Sequence, residues 1–365
     1  MTTELVTAID EAFEMAPSFA QVEALELLVR QAEQRNDASA AAYGARLLYY
    51  AAFKMMLGDR MVAAYTSLRA THERHASTLP AETALHVASL GANLLHVLDK
   101  IPEISWERMN ALYSDIEKLH VANGLSRYGL CSARVSSYFQ AGYTERARAG
   151  YEELLAMPAD KDACEPCSVG RHVWFLLELE RVDEAIELAA PLTDGRLACD
   201  NYPAGIWSML AIPLARRGDW KLARAYHARL HRSALARPTW VGNAAAAATF
   251  AAIDRAHIKA KNVLAQALPH AMQDTMKGTR FEFFTAVTVW LDAVAREQSS
   301  VKLALPKELP LEHASSRYEI APLRAWFANA AHEIASQFDR RNGNTHWTDE
   351  LGSASDVLEL EPPPR

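Results

Sequence analysis

Three stretches of this chain carry a small residue at the same place in a helical pattern: Ala147, Ala185 and Ala223, spaced 38 residues apart. Residues 138–151, 176–189 and 214–227 line up on these alanines. Each stretch reads as the end of one helix, a tight break, then a second helix opening on the small residue. The breaks fall at Gly142, Glu180 and Gly218. A glycine there supplies the left-handed residue that ends a helix and reverses the chain. A small residue after the break lets the two helices cross closely. A single hairpin of this kind leaves one face uncovered, so neighbours must stack and the architecture is an array.

Composition agrees with helices. Half of the 365 residues are apolar and 23% are charged, while 15 Gly and 16 Pro are too few to punctuate an all-β chain of this length. The expected class is all-α. Apolar residues at helical spacing, such as Val22, Leu25, Leu28 and Val29, or Val287, Trp290, Leu291 and Val294, supply the seams between helices. Thirteen to fifteen helices, about, fit the repeat length.

These residues resemble the tetratricopeptide repeat (TPR), a helix hairpin with Trp early in the first helix, Gly at the turn, an aromatic after it and Ala at the helix crossing. The third stretch matches best, with Trp207, Gly218, Trp220 and Ala223. The second has neither the glycine nor the turn aromatic, and the first has Cys131 in place of Trp. Residues 48–68, with Gly58 and Asp59 at the break, resemble an earlier copy. Residues 250–268, with Asp254 and Arg255 at the break, resemble a later one. The resemblance spans about residues 20–300 and is strong only over 128–236. It implies an α-α superhelical solenoid of TPR-like hairpins over residues 1–300. Pro306 and Pro310 then break the array, and a linker and helix are expected over 301–341, with the helix itself over 321–340. An acidic, disordered tail is expected over 342–365, with docking through Trp347 or Leu358 as the alternative.

Net charge is −7, which argues against a protein that coats nucleic-acid phosphates. No leader-like segment opens the chain, and no apolar run reaches the length of a membrane span. The nearest, Val241–Ile253, is Ala-rich and reads as a closely packed core helix. A cytoplasmic location is the expectation. Phosphate loops, dinucleotide loops, zinc-protease helices and nucleophile elbows are all missing from the sequence. The histidine pairs His72/His75 and His227/His231 read as packing or capping. His86 and His96 are placed on a helix interrupted by Gly91.

The four cysteines do not make a secreted disulfide framework. Cys164 and Cys167 have the Cys-x2-Cys spacing that lets two thiolates bind one zinc, and Cys199 occupies the matching loop of the next repeat. Cys131, His231 or a carboxylate such as Asp162 is the expected fourth ligand. Three readings stay open: a structural zinc, a redox pair, or ordinary thiols. The order of Cys-x2-Cys, a helix pair, then Cys and Pro is similar to a group of actinobacterial TPR proteins, which adds architecture and no chemistry.

First helices of TPR hairpins line the concave wall, so the resemblance implies a protein or peptide partner there. The candidate anchors are Arg171, Trp174, Phe139 and Glu178, since aromatics and Arg dominate binding hot spots. The leading reading is a non-enzymatic scaffold, adaptor or regulator, with no direct nucleic-acid or membrane contact. Its rival is an enzyme or enzyme-accessory protein with a site in a helical cavity or at the cysteine rim. A third reading is a structural subunit that self-associates into a homo-oligomer through a terminal repeat.

Overall fold

The computed structural model describes residues 3–161, 163–306, 309 and 316–364. It is all-α, with seventeen α-helices and one two-stranded ladder among the described residues. The count exceeds the sequence estimate because the two ends are helical too. The chain divides into two compact units.

The first unit holds α1 (Thr3–Phe13), α2 (Phe19–Gln34), α3 (Ala38–Lys54), α4 (Gly58–His75), α5 (Glu82–Leu98) and α6 (Trp106–Ala122). Each helix packs on the next, and α1 also reaches α3. Its core runs through Ile9, Leu25, Val29, Ala45, Leu48, Met61, Leu94, Met109 and Ile116. One buried polar knot sits in this core: Ser137 donates to Asp99, and the Tyr113 hydroxyl lies 2.8 Å from the Ser137 hydroxyl. Helix α5 is continuous through Gly91, contrary to the interruption expected there. Gly91 is instead a contact point, since a Cβ on it would lie 2.6 Å from the Tyr65 hydroxyl.

Residues of α7 (Tyr128–Gln140) and α8 (Thr144–Leu155) are divided between the units. The second unit continues with α9 (Glu165–Glu178), α10 (Val182–Thr193), α11 (Ala204–Arg216), α12 (Trp220–Ala236), α13 (Val241–Ile253), α14 (His257–Gln273), α15 (Lys277–Ala295), α16 (Ile320–Asn342) and α17 (His346–Ser353). Successive helices pack on one another, and alternate helices also touch: α9 on α11, α11 on α13, α13 on α15. The Ala-rich α13 is buried along most of its length, as its composition predicts. Between α15 and α16, β1 (Ser300–Lys302) pairs antiparallel with β2 (Arg317–Glu319), a ladder too short to read from sequence.

The breaks follow one local rule. Gly142, Glu180, Gly218 and Arg255 all have positive φ (75°, 58°, 82° and 54°). In each case the next residue's N–H reaches back five residues to a carbonyl: Tyr143 to Tyr138, Arg181 to Leu176, Asp219 to Leu214 and Ala256 to Ala251. This is the Schellman arrangement, which satisfies the last carbonyls of the first helix. Five residues after each break stands an alanine, Ala147, Ala185, Ala223 or Ala260, and all four are fully buried. The same geometry recurs at Asn36 and Met56 in the first unit. Met56, not Gly58, therefore makes the break in residues 48–68, and Gly58 opens α4.

Four of these six left-handed positions carry side chains; Asn36 tolerates the conformation, whereas Met56, Glu180 and Arg255 resist it at roughly 1–2 kcal/mol each. Glu180→Gly should raise stability by about 0.5–1 kcal/mol, once the glycine's greater freedom in the unfolded chain is subtracted. Gly218→Ala should lower it by a similar amount through φ alone, because nothing lies within 4 Å of the added methyl. Thermal unfolding of the two variants checks both signs.

The C-terminal segment, expected to be disordered, is packed. Trp347 is 3% exposed, stacks on Phe338 at 4.0 Å and meets Phe281 edge-on at 4.9 Å. Its indole N–H donates to the Gln140 carbonyl at 2.8 Å. The buried Asp339 carboxylate accepts the N–H groups of Trp347 (2.9 Å) and Thr348 (3.1 Å), which caps α17. Beyond it, a 3-10 turn (Ala354–Glu359) buries Leu358. Docking through Trp347 and Leu358, the alternative to disorder, is what the structure shows, with Asp339 of α16 as the capping carboxylate.

Candidate metal centre

Cys164, Cys167 and Cys199 come together in the second unit, with their sulfurs all within 4.8 Å of one another. None is in a disulfide; Cys164 is exposed and the other two are half-buried. Cys167 Sγ lies 3.6 Å from Cys199 Sγ. A covalent bridge would need about 2.05 Å, whereas sulfurs on a tetrahedral zinc with bonds of about 2.3 Å stand roughly 3.8 Å apart. The spacing fits two ligands of one ion.

Local structure places each thiol. Cys164 is the N-cap residue of α9, with Pro166 in the first turn, so the helix starts at a fixed point and Cys167 follows on that turn. The Cys164 side chain makes no capping hydrogen bond, and its sulfur pairs with the Cys167 thiol instead. Cys199 is carried on the loop between α10 and α11. That loop is tied by the Cys199 N–H to the Tyr202 carbonyl (3.0 Å), the Leu197 N–H to Pro191 (2.8 Å) and Arg237 to the Asp200 carbonyl (2.9 Å).

Two further contacts set the loop against α9, and sequence reasoning did not find them. The Tyr202 ring lies on the bare backbone of Gly170, where a Cβ would fall 2.1 Å from Cζ, and also against Gly205. Asn201 donates its amide to Cys167 Sγ at 3.5 Å, the kind of outer contact that orients a metal ligand. The available signal was a glycine three residues past Cys167 and a tyrosine three past Cys199. Burial is the first cause raising the Cys167 thiol above its ordinary range, with the crowding of Cys164 and Cys199 adding to it. A bound cation reverses this, because a coordinating thiol is deprotonated outright.

Cys131 stands on α7 in the first unit and is not among the grouped thiols. Burial raises its pKa. His231 is not in the group either. It lies on α12 with its ring 5.8 Å from His227, whose own pKa burial lowers to about 4, so this pair belongs to packing as expected. Asp162 lies outside the described residues. Among the described residues no fourth side chain of ligating type joins the three thiols.

The expected partner anchors gather on α9. Arg171, Trp174 and Glu178 lie at i, i+3 and i+7, one stripe of the helix. The Trp174 indole donates to Glu178 at 2.8 Å. Phe139 is buried at 4% exposure, stacked on Phe175 at 5.6 Å and edge-on to Trp174 at 5.9 Å. It therefore supports the stripe from beneath and offers no surface of its own.

Comparison with protein-family models, with curated proteins and with solved structures finds no match for this chain. Among the described residues, no helix is long and apolar enough to cross a membrane.

Proposed function

We propose that the chain is a TPR-like superhelical scaffold that captures a protein or peptide segment, with a structural zinc on Cys164, Cys167 and Cys199 fixing the loop edge of two neighbouring hairpins. The role is binding and not catalysis. The observation that carries the scaffold reading is the recurrence of one unit of local geometry: a left-handed cap at 142, 180, 218 and 255, each followed five residues later by a fully buried alanine. Contacts between alternate helices are what stacked hairpins require, and they support the same reading. The zinc reading is supported by the ligand chemistry. Three soft sulfurs within 4.8 Å of one another, one pair of them near the edge length of a zinc tetrahedron, suit a soft-tolerant d10 ion better than calcium or magnesium, which demand oxygen.

Arg171 and Trp174 are the proposed contacts for the partner, because an aromatic braced by a buried ring cluster and flanked by Arg has the makings of a hot spot. Selection of displayed peptides on the wild-type chain tests this. Trp174→Ala should weaken the selected peptides by about tenfold or more without moving the unfolding transition. Equal affinity would remove the α9 stripe, and no enrichment on the wild-type chain would count against the scaffold itself.

A further inference from the structure

The thiol group has a second chemistry that a purely structural metal does not use. Its three members differ in access. Cys164 is exposed, at the start of a helix of fourteen residues, and its sulfur caps nothing. Cys167 is one turn further on, half-buried, with an amide donor on its sulfur and Cys199 at 3.6 Å behind it. An accessible thiol with a shielded thiol within 4.8 Å of it is the arrangement that thiol–disulfide exchange needs.

We propose that the metal-free group is a dithiol–disulfide exchange centre, in which Cys164 attacks a small disulfide and Cys167 resolves the adduct. The proposal shares its thiols with the zinc reading but needs no metal. In the first step the Cys164 thiolate attacks one sulfur of the disulfide RSSR. A Cys164–SR bond forms, the original S–S bond breaks and RS⁻ leaves. In the second, Cys167, having given its proton to solvent, attacks the Cys164 sulfur and the second RS⁻ leaves. The sum is RSSR plus two protein thiols giving two RSH and a Cys164–Cys167 disulfide, so the chain is oxidised by two electrons and the small disulfide reduced by two. Zinc and the disulfide occupy the same sulfurs and exclude one another. Binding of zinc then protects the group, and its loss exposes it.

The test uses the full chain, chelated and then treated with glutathione disulfide, followed by mass spectrometry of the unreduced peptides. The wild-type chain should lose two hydrogens with the link mapped between Cys164 and Cys167, and should hold no lasting glutathione adduct. Cys167→Ser should stop at the Cys164–glutathione adduct, Cys199→Ser should still form the Cys164–Cys167 link, and Cys164→Ser should form neither. Reloading zinc should slow the reaction by at least about tenfold, since the ion must leave first. A stable glutathione adduct on the wild-type chain would overturn the proposal, as would a disulfide formed at the same rate in Cys164→Ser. A chain that binds no zinc yet forms the link would sink the zinc reading and leave this one standing. A zinc-binding chain that stays reduced after chelation would do the reverse.

Discussion

Gly170→Ala should separate Cys199 from the other two thiols. The added methyl would sit 2.1 Å from Tyr202 Cζ and 2.4 Å from Cε1 and Oη, far inside any non-bonded contact distance. The ring is also packed on Gly205, where a Cβ would be 2.9 Å from Cε1. The relief left is movement of the loop that carries Cys199, whose N–H is bonded to the Tyr202 carbonyl and must travel with it. Overpacking of this kind costs about 1–3 kcal/mol, and losing the alignment of a ligand lowers metal affinity by about 10–100-fold. Competition with a chromogenic chelator measures the affinity, and thermal unfolding measures the stability. Unchanged zinc affinity would mean that the Tyr202 loop does not position the ligand.

Trp347→Ala should release the C-terminal segment. The substitution removes a ring stacked at 4.0 Å on Phe338 and leaves the Gln140 carbonyl without its donor. Truncating a buried Trp costs about 3–5 kcal/mol. Because Trp347 and Leu358 are the buried apolar anchors of α17 and the turn beyond it, we expect much of that loss as local opening. Hydrogen exchange of the amides in α17 should then accelerate by about 10²–10³-fold, the population change that such an energy implies. Asp339→Asn, which weakens the cap but spares the stacking, should give the same pattern at smaller amplitude. Exchange unchanged from wild type would place the anchoring of this segment elsewhere.

The helices and their breaks were legible because each rests on a short-range rule. An alanine five residues past a reversal is readable when the reversal holds glycine, as at Gly142 and Gly218. It was still readable at Glu180, by spacing alone. The reversal at Met56 was missed, because Met61 and not an alanine stands five residues on and the nearby Gly58 points two residues too far along. The Cys-x2-Cys and its partner Cys199 were found because cysteines are scarce and fell in matching loops. What stayed hidden was side-chain contact between segments far apart in sequence. Nothing local says that Tyr202 rests on Gly170, that Phe139 faces inward under Trp174, or that Trp347 docks on Phe338. The tail was misjudged for the same reason, because polarity is read locally while three anchoring residues act at long range.

Metal content of the chain, purified without a metal-affinity tag and paired with thiol counting before and after chelation, tests the centre most directly. The account predicts about one zinc per chain, with the thiols of Cys164, Cys167 and Cys199 titrating only once the ion is removed. A metal-free chain whose four cysteines all titrate before chelation would contradict it.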